Sequence, residues 1–203
     1  MRPRFNPTTN TPRRCAVQMN SIADIDTYDE ALRSFSWSRI WELFDGDREY
    51  MNITHECIDR HRALGTAISV KFSDGHSERY SFAELSDQTG QFANWIKRLG
   101  VAEGDRVAVV VDPSRAFYVG MFGTMKRGAV AVPLFTLFGP EGLALRINDC
   151  NPKLILTQSD PAPLAKHFPN ARVIAVDEAF WKEIAAESPV FEAKTRTTGP
   201  AYL

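Results

Sequence analysis

Apolar positions along this chain fall into two regimes that meet near residue 104. In the first, Tyr28, Leu32, Phe35, Ile40 and Leu43 recur near the helical period over 27–43, with Ser34, Ser36 and Ser38 interrupting it. A second helix is predicted over 53–63, with Asn52 as its N-cap and Gly65 near its end. Ile68, Val70 and Phe72 then alternate with Ser69 and Lys71, Asp74-Gly75 supplies a turn, and 77–80 returns, which reads as a hairpin. Ser81-Phe82-Ala83-Glu84 fits a capping box opening a helix that buries Leu85, Phe92, Ile96 and Leu99 and stops at Gly100.

From Asp105 the pattern becomes regular. The β-branched run 107–111 suits a parallel strand covered on both faces. A helix from Pro113-Ser114 to Lys126 follows, closed by Gly128, then a strand over 129–134 and a helix opened by Gly139-Pro140-Glu141. Strands over 153–157 and 173–176 enclose a short helix at 161–167, and Asp177 caps a last helix. Alternating strands and helices imply right-handed crossovers and a doubly wound, mostly parallel α/β sheet with flanking helices, preceded by a helix and hairpin segment. The organisation expected is a disordered basic arm at 1–26, N-terminal helices, hairpin and capped helix at 27–104, a parallel α/β subdomain at 105–190, and a linker with the start of another strand at 191–203.

Composition narrows the setting. The 203 residues are 44% hydrophobic and 24% charged, enough for a sizeable core. Twenty-four basic against 25 acidic side chains give a net charge of −1, so no whole-chain field draws nucleic acid. Three scattered cysteines, Cys15, Cys57 and Cys150, make no disulfide framework, and no apolar run is long enough to span a membrane. A cytoplasmic protein is expected. Arg2, Arg4, Arg13 and Arg14 could suggest a presequence, but Pro3, Pro7 and Pro12 oppose the amphipathic helix it needs.

Candidate chemistry is sparse. The turn after the first parallel strand, Asp112-Pro113-Ser114-Arg115, has no glycine for a dinucleotide fingerprint, and no Walker-type loop exists. Gly120 and Gly123 lie inside the following helix, where they read as allowing close approach to the sheet. His55, Cys57 and His61 resemble metal ligands, yet on one helix only Cys57 and His61 share a face, and a structural role is preferred. Cys150 reads as buried and inert, and the Asp24/Asp26 pair as a solvated stretch. Thr197-Thr198-Gly199 has phosphate-loop composition but neither a lysine nor a helix start beside it, and reads as linker.

Several stretches together resemble the N-terminal part of the AMP-forming acyl-CoA synthetases, the acetyl-CoA-synthetase-like branch of the adenylate-forming enzymes. They are Asn52 with Asp59-Arg60-His61, the segment Tyr80-Ser81-Phe82-Ala83-Glu84-Leu85, Leu99-Gly100-Val101 with Gly104-Asp105-Arg106-Val107-Ala108, and the run from Met125 through Gly128 to Leu134. The resemblance implies a two-step acid–thiol ligase acting on a small-molecule carboxylate: ATP and Mg²⁺ serve acyl-adenylate formation, and coenzyme A displaces AMP. It also implies that the Ser/Thr/Gly phosphate loop would follow Ala201-Tyr202-Leu203, so this stretch carries no catalytic residue and no metal ligand and is expected to be inactive alone. Phe135, Thr136, Leu137, Phe138 and Gly139 correspond to a loop lining the family's coenzyme A channel, where small glycines usually stand at the positions of Thr136 and Leu137. The other reading of that loop is an apolar plug against further sequence. The alternatives for the whole chain are an adenylation module loading a carrier protein and a stand-alone, non-catalytic flavodoxin-like binding module. The early helices and hairpin are expected to lack packing partners, leaving Ile53, Ile58, Ile68, Val70 and Phe72 on a face prone to self-association.

Overall fold

The computed structural model describes residues 21–203, and residues 1–20, most of the expected arm, lie outside them. Two compact units divide the chain, 1–43 and 44–203. In the first, Thr27 caps helix α1 (Tyr28–Ser34) by accepting from the Glu30 amide. The helix expected through Leu43 stops at Ser34, whose hydroxyl donates back to the Glu30 carbonyl at 2.7 Å, a local alternative to continuing the helix. A 3-10 turn over Arg39–Leu43 follows, with Arg39 held by Glu42 and the Ser34 carbonyl.

The second unit is built on four parallel strands: β3 (Arg106–Val110), β4 (Val130–Pro133), β5 (Leu154–Thr157) and β6 (Arg172–Ala175), in the spatial order β4-β3-β5-β6. The start of a further strand lies beside β4: the Ala131 amide donates to Ala201, and the Leu203 amide donates to Ala131. Helices α3 (Phe82–Arg98), α4 (Arg115–Arg127) and α7 (Glu178–Ala185) cover one face, packing Phe92, Trp95, Val119, Phe180 and Ile184 against Val107, Val109 and Leu156. Helices α5 (Pro140–Cys150) and α6 (Ala162–His167) cover the other, over Ala108, Val110, Val132 and Ile155. Both faces of β3, β4 and β5 are therefore buried, which is why their sequences read as unbroken apolar runs.

Caps fix the helix starts. Ser81 and Glu84 form the complete capping box of α3, and Ser114 and Asp177 accept from the Phe117 and Phe180 amides. Gly120 lets α4 approach the sheet, since a Cβ there would meet Leu156 at 3.0 Å. Gly123 serves a different partner from the one expected: its Cβ would lie 2.6 Å from the Phe92 ring, so it admits α3 rather than the sheet.

The helix expected over 53–63 is shorter. Helix α2 (Ile53–Cys57) ends where Ile58 leaves helical geometry at φ −128°, and a 3-10 turn over Asp59–His61 follows. Burial decides this break. Ile58 turns into the main core at 3% exposure and Asp59 reaches Lys126 of α4 at 2.8 Å. Asn52 caps α2 and also donates to the carbonyls of Met125 and Lys126, while Thr54 donates to the carbonyl of Phe122 at 2.6 Å. The antiparallel hairpin of β1 (Thr66–Lys71) and β2 (Ser77–Ser81) sets Ile68 and Tyr80 against the same core and buries Val70. The expectation that Ile58 and Val70 lack packing surface is thus corrected: both are buried, Ile58 within the main core formed with α3 and α4.

Candidate functional site

The strand order defines where a ligand fits best. From β3 the chain passes to β4 on one side, then crosses to β5 and β6 on the other, so β3 and β5 flank a topological switch point. Open α/β sheets bind ligands outside the carboxyl ends of the strands at such a point. Here the loops after β3, β4 and β5 meet. Asp112 follows β3, Thr136 follows β4 and Gln158 follows β5. The Gln158 side-chain oxygen accepts from the Asp112 amide at 2.8 Å, and its NH₂ donates to Asp112 Oδ2 at 2.7 Å. The Thr136 hydroxyl donates to Asp112 Oδ1. The Thr136 bond, and then that of Gln158, hold the Asp112 carboxyl below the usual carboxylate range.

Beside this cluster lies a cleft of about 190 Å³, walled by Val111, Pro113, Phe117, Leu134, Phe135 and Tyr202. The five loop residues singled out in the sequence divide here. Phe135 lines the cleft and remains 75% exposed, Thr136 joins Asp112, and Leu137 points away at 94% exposure. Phe138 packs edge-on to Phe135 at 5.7 Å, carries the Arg146 guanidinium 3.9 Å above its ring, and reaches the α5 side of the core. Gly139 is the N-cap of α5, with Pro140 in the first turn. Sequence reading named Asp112 only as part of a glycine-free turn and did not single out Gln158, because neither belongs to a motif; the available signal was their place directly after two apolar strand runs.

The other candidates disperse. His55 Nε2 lies 2.9 Å from Asp45, the His61 ring packs on Phe82 at 5.6 Å, and Cys57 is exposed with its thiol pushed up by partial burial and by Glu56. Among the described residues no group of three or more His, Cys, Asp or Glu can hold a metal ion. Cys150 is buried with a raised thiol pKa, as expected of an inert core cysteine. Thr197 spends its amide on Glu49 and its hydroxyl on Asp47, and the Gly199 amide turns back to Arg196, so these donors face protein rather than a phosphate. No helix among the described residues is long and apolar enough to cross a membrane.

Comparison with known proteins agrees with this architecture. An acyl-CoA synthetase of Brucella canis superposes with a TM-score of 0.79 at 24% identity, over 88% of this chain and 35% of that one. ATP-bound MatB from Rhodopseudomonas palustris superposes at 0.58 with 25% identity, over 71% and 30%. In sequence, acetyl-coenzyme A synthetases of Pseudoalteromonas atlantica and Thiobacillus denitrificans are 32% and 36% identical over 59% and 64% of this chain. The chain spans about a fifth of the length of those relatives, 19% and 20%. Residues 59–200, all four strands of the switch-point sheet included, match the family model described as AMP-binding enzyme, and the chain belongs to that family.

Proposed function

We propose that this chain forms the N-terminal α/β layer of an AMP-forming acyl-CoA ligase, which joins a carboxylate to ATP as an acyl-adenylate and passes the acyl group to coenzyme A. The observation that carries the reading is the family match over 59–200 laid on a sheet whose carboxyl edge holds an open apolar cleft. Of the loop Phe135, Thr136, Leu137, Phe138 and Gly139, we propose Phe135 and Thr136 as the wall of the coenzyme A channel, with Phe138 and Gly139 anchoring the loop on α5. The fit is chemical. A narrow, largely apolar pantetheine arm suits a cleft walled by Val111, Pro113, Phe117 and Phe135, whereas the Asp112 carboxylate at its rim repels a phosphate. No step through Mg²⁺ is assigned to the described residues, among which no group of three or more His, Cys, Asp or Glu comes together.

In this reading the chain's own residues bind and orient; positioning and charge stabilisation of the phosphoryl group come from elsewhere. Two measurements test it. Pyrophosphate exchange with the purified 203-residue chain and a panel of carboxylic acids should give no signal above a heat-killed control, and a signal would overturn the inactivity of this stretch alone. Coenzyme A should shift the backbone resonances of 133–139 and Tyr202. Shifts confined to other regions would overturn the channel reading.

A further inference from the structure

The loop over the cleft has few ties of its own. Leu134 is anchored in the core, with its amide on the Val109 carbonyl, and Phe138 is anchored on the α5 side. Between these anchors Phe135 and Leu137 stand in solvent, and the Phe138 amide reaches only the Phe135 carbonyl, at 3.2 Å. Among the described hydrogen bonds, the Thr136 hydroxyl is the side-chain donor that ties the loop's tip to the sheet.

Its acceptor is itself held. Gln158 clasps Asp112 at two points, backbone amide and Oδ2, which fixes the carboxylate plane and leaves Oδ1 turned toward Thr136. The donor and acceptor pattern is self-consistent: an ionised carboxylate only accepts, and it meets one hydroxyl and one amide NH₂. Three strand ends are thereby joined through one side chain, across the crevice that the strand order opens.

We propose that Asp112, Thr136 and Gln158 are positioning residues that latch the 135–139 loop over the switch point, so that the cleft is shaped before any ligand enters. A loop bearing glycine in place of Thr136 has no such hydroxyl to donate to Asp112. The latch is a property of the loop itself and goes beyond the coenzyme A reading; it holds whichever molecule enters the cleft. A loop held in one geometry loses less freedom when a ligand binds, which is the advantage of preorganisation.

Hydrogen–deuterium exchange on the 203-residue chain tests this at single residues. In Thr136→Val, which keeps the shape and removes the donor, the Phe138 amide should exchange about fivefold faster, the consequence of one lost charge-assisted bond at an exposed site. Amides of Val107 to Val110 should keep their rates. Thr136→Ser, which keeps the hydroxyl, should match the wild type. Gln158→Ala should free the Asp112 amide and loosen the loop in the same way. An unchanged Phe138 rate in Thr136→Val would overturn the latch. So would a Thr136→Ser loop as fast as Thr136→Val, because a retained hydroxyl would then fail to hold the loop. Faster exchange spread through 107–110 in both Thr136→Val and Gln158→Ala would overturn it as well, since a latch releases the loop alone.

Discussion

Lys126 is 3% exposed, and its ammonium is fully occupied: Asp59 at 2.8 Å, the Ser86 carbonyl at 3.2 Å and the Thr89 hydroxyl at 3.4 Å take its three protons. Asp59 in turn accepts from the Ser86 hydroxyl at 2.8 Å. Three elements, α3, α4 and the turn after α2, converge on one charge. Such a pair is costly to break and cheap to replace, because removing one partner strands the other's charge while removing both strands neither. Lys126→Met should therefore destabilise the fold by about 3 kcal/mol, at the low end of the range for broken buried pairs because Asp59 keeps Ser86 and some water. Adding Asp59→Leu should recover part of that loss, and urea unfolding of the single and double variants is the measurement. A double variant less stable than Lys126→Met would mean the pair itself, rather than its relief of a stranded charge, carries the stability.

Among the elements, α3 is the one on which the rest is assembled. It meets α4 through Gly123, carries the hairpin at its start, and receives the segment after α7 along the side that bears Gly90 and Asn94. There Asn94 donates to the carbonyls of Ser188 and Val190, and Gly90 lies so close to Pro189 that an added Cβ would sit 1.8 Å from its carbonyl oxygen. Gly90→Ala should push the 188–190 segment off the helix and cost about 1–3 kcal/mol, the usual price of overpacking. Thermal unfolding should show a fall of several degrees, against a smaller one for Asn94→Ala; equal midpoints for Gly90→Ala and wild type would mean that the segment moves aside freely. The start of α3 was legible in the sequence because a capping box is local: Ser81 and Glu84 are three residues apart and need no tertiary partner. The parallel strands were legible for a related reason, since burial on both faces writes itself as a continuous apolar run. What was not legible depended on distant partners. The end of α2 is set by Ile58 and Asp59 reaching α4, the use of Gly123 by a ring on α3, and the cluster at the switch point by Asp112 and Gln158, 46 residues apart. Of the cleft, the loop after β4 could be singled out; its partners could not.

At the scale of the molecule, some of the exposed apolar side chains lie near the carboxyl edge and the β4 side of the sheet. Phe135, Leu137, Tyr202 and Leu203 are between 62% and 94% exposed, and Phe135 and Tyr202 share the wall of one cleft. Exposed apolar side chains that share a cleft favour association in water. The 203-residue chain should therefore sediment with a weight-average mass that rises with concentration, and Leu137→Asp with Phe135→Ser should flatten that rise; a strictly monomeric wild type would show the patch to be too small to matter. The N-terminal end of unit 44–203 has a different dependence on the whole. Asn52 donates to Met125 and Lys126 and, 143 residues further on, to the Thr195 hydroxyl, which itself donates to Met51. On a ribosome adding roughly 5–20 residues per second, Thr195 is made on the order of ten seconds after Asn52. The bond from Asn52 to Thr195 cannot form within that interval. The cap of the first helix synthesised in this unit is completed by one of the last residues made.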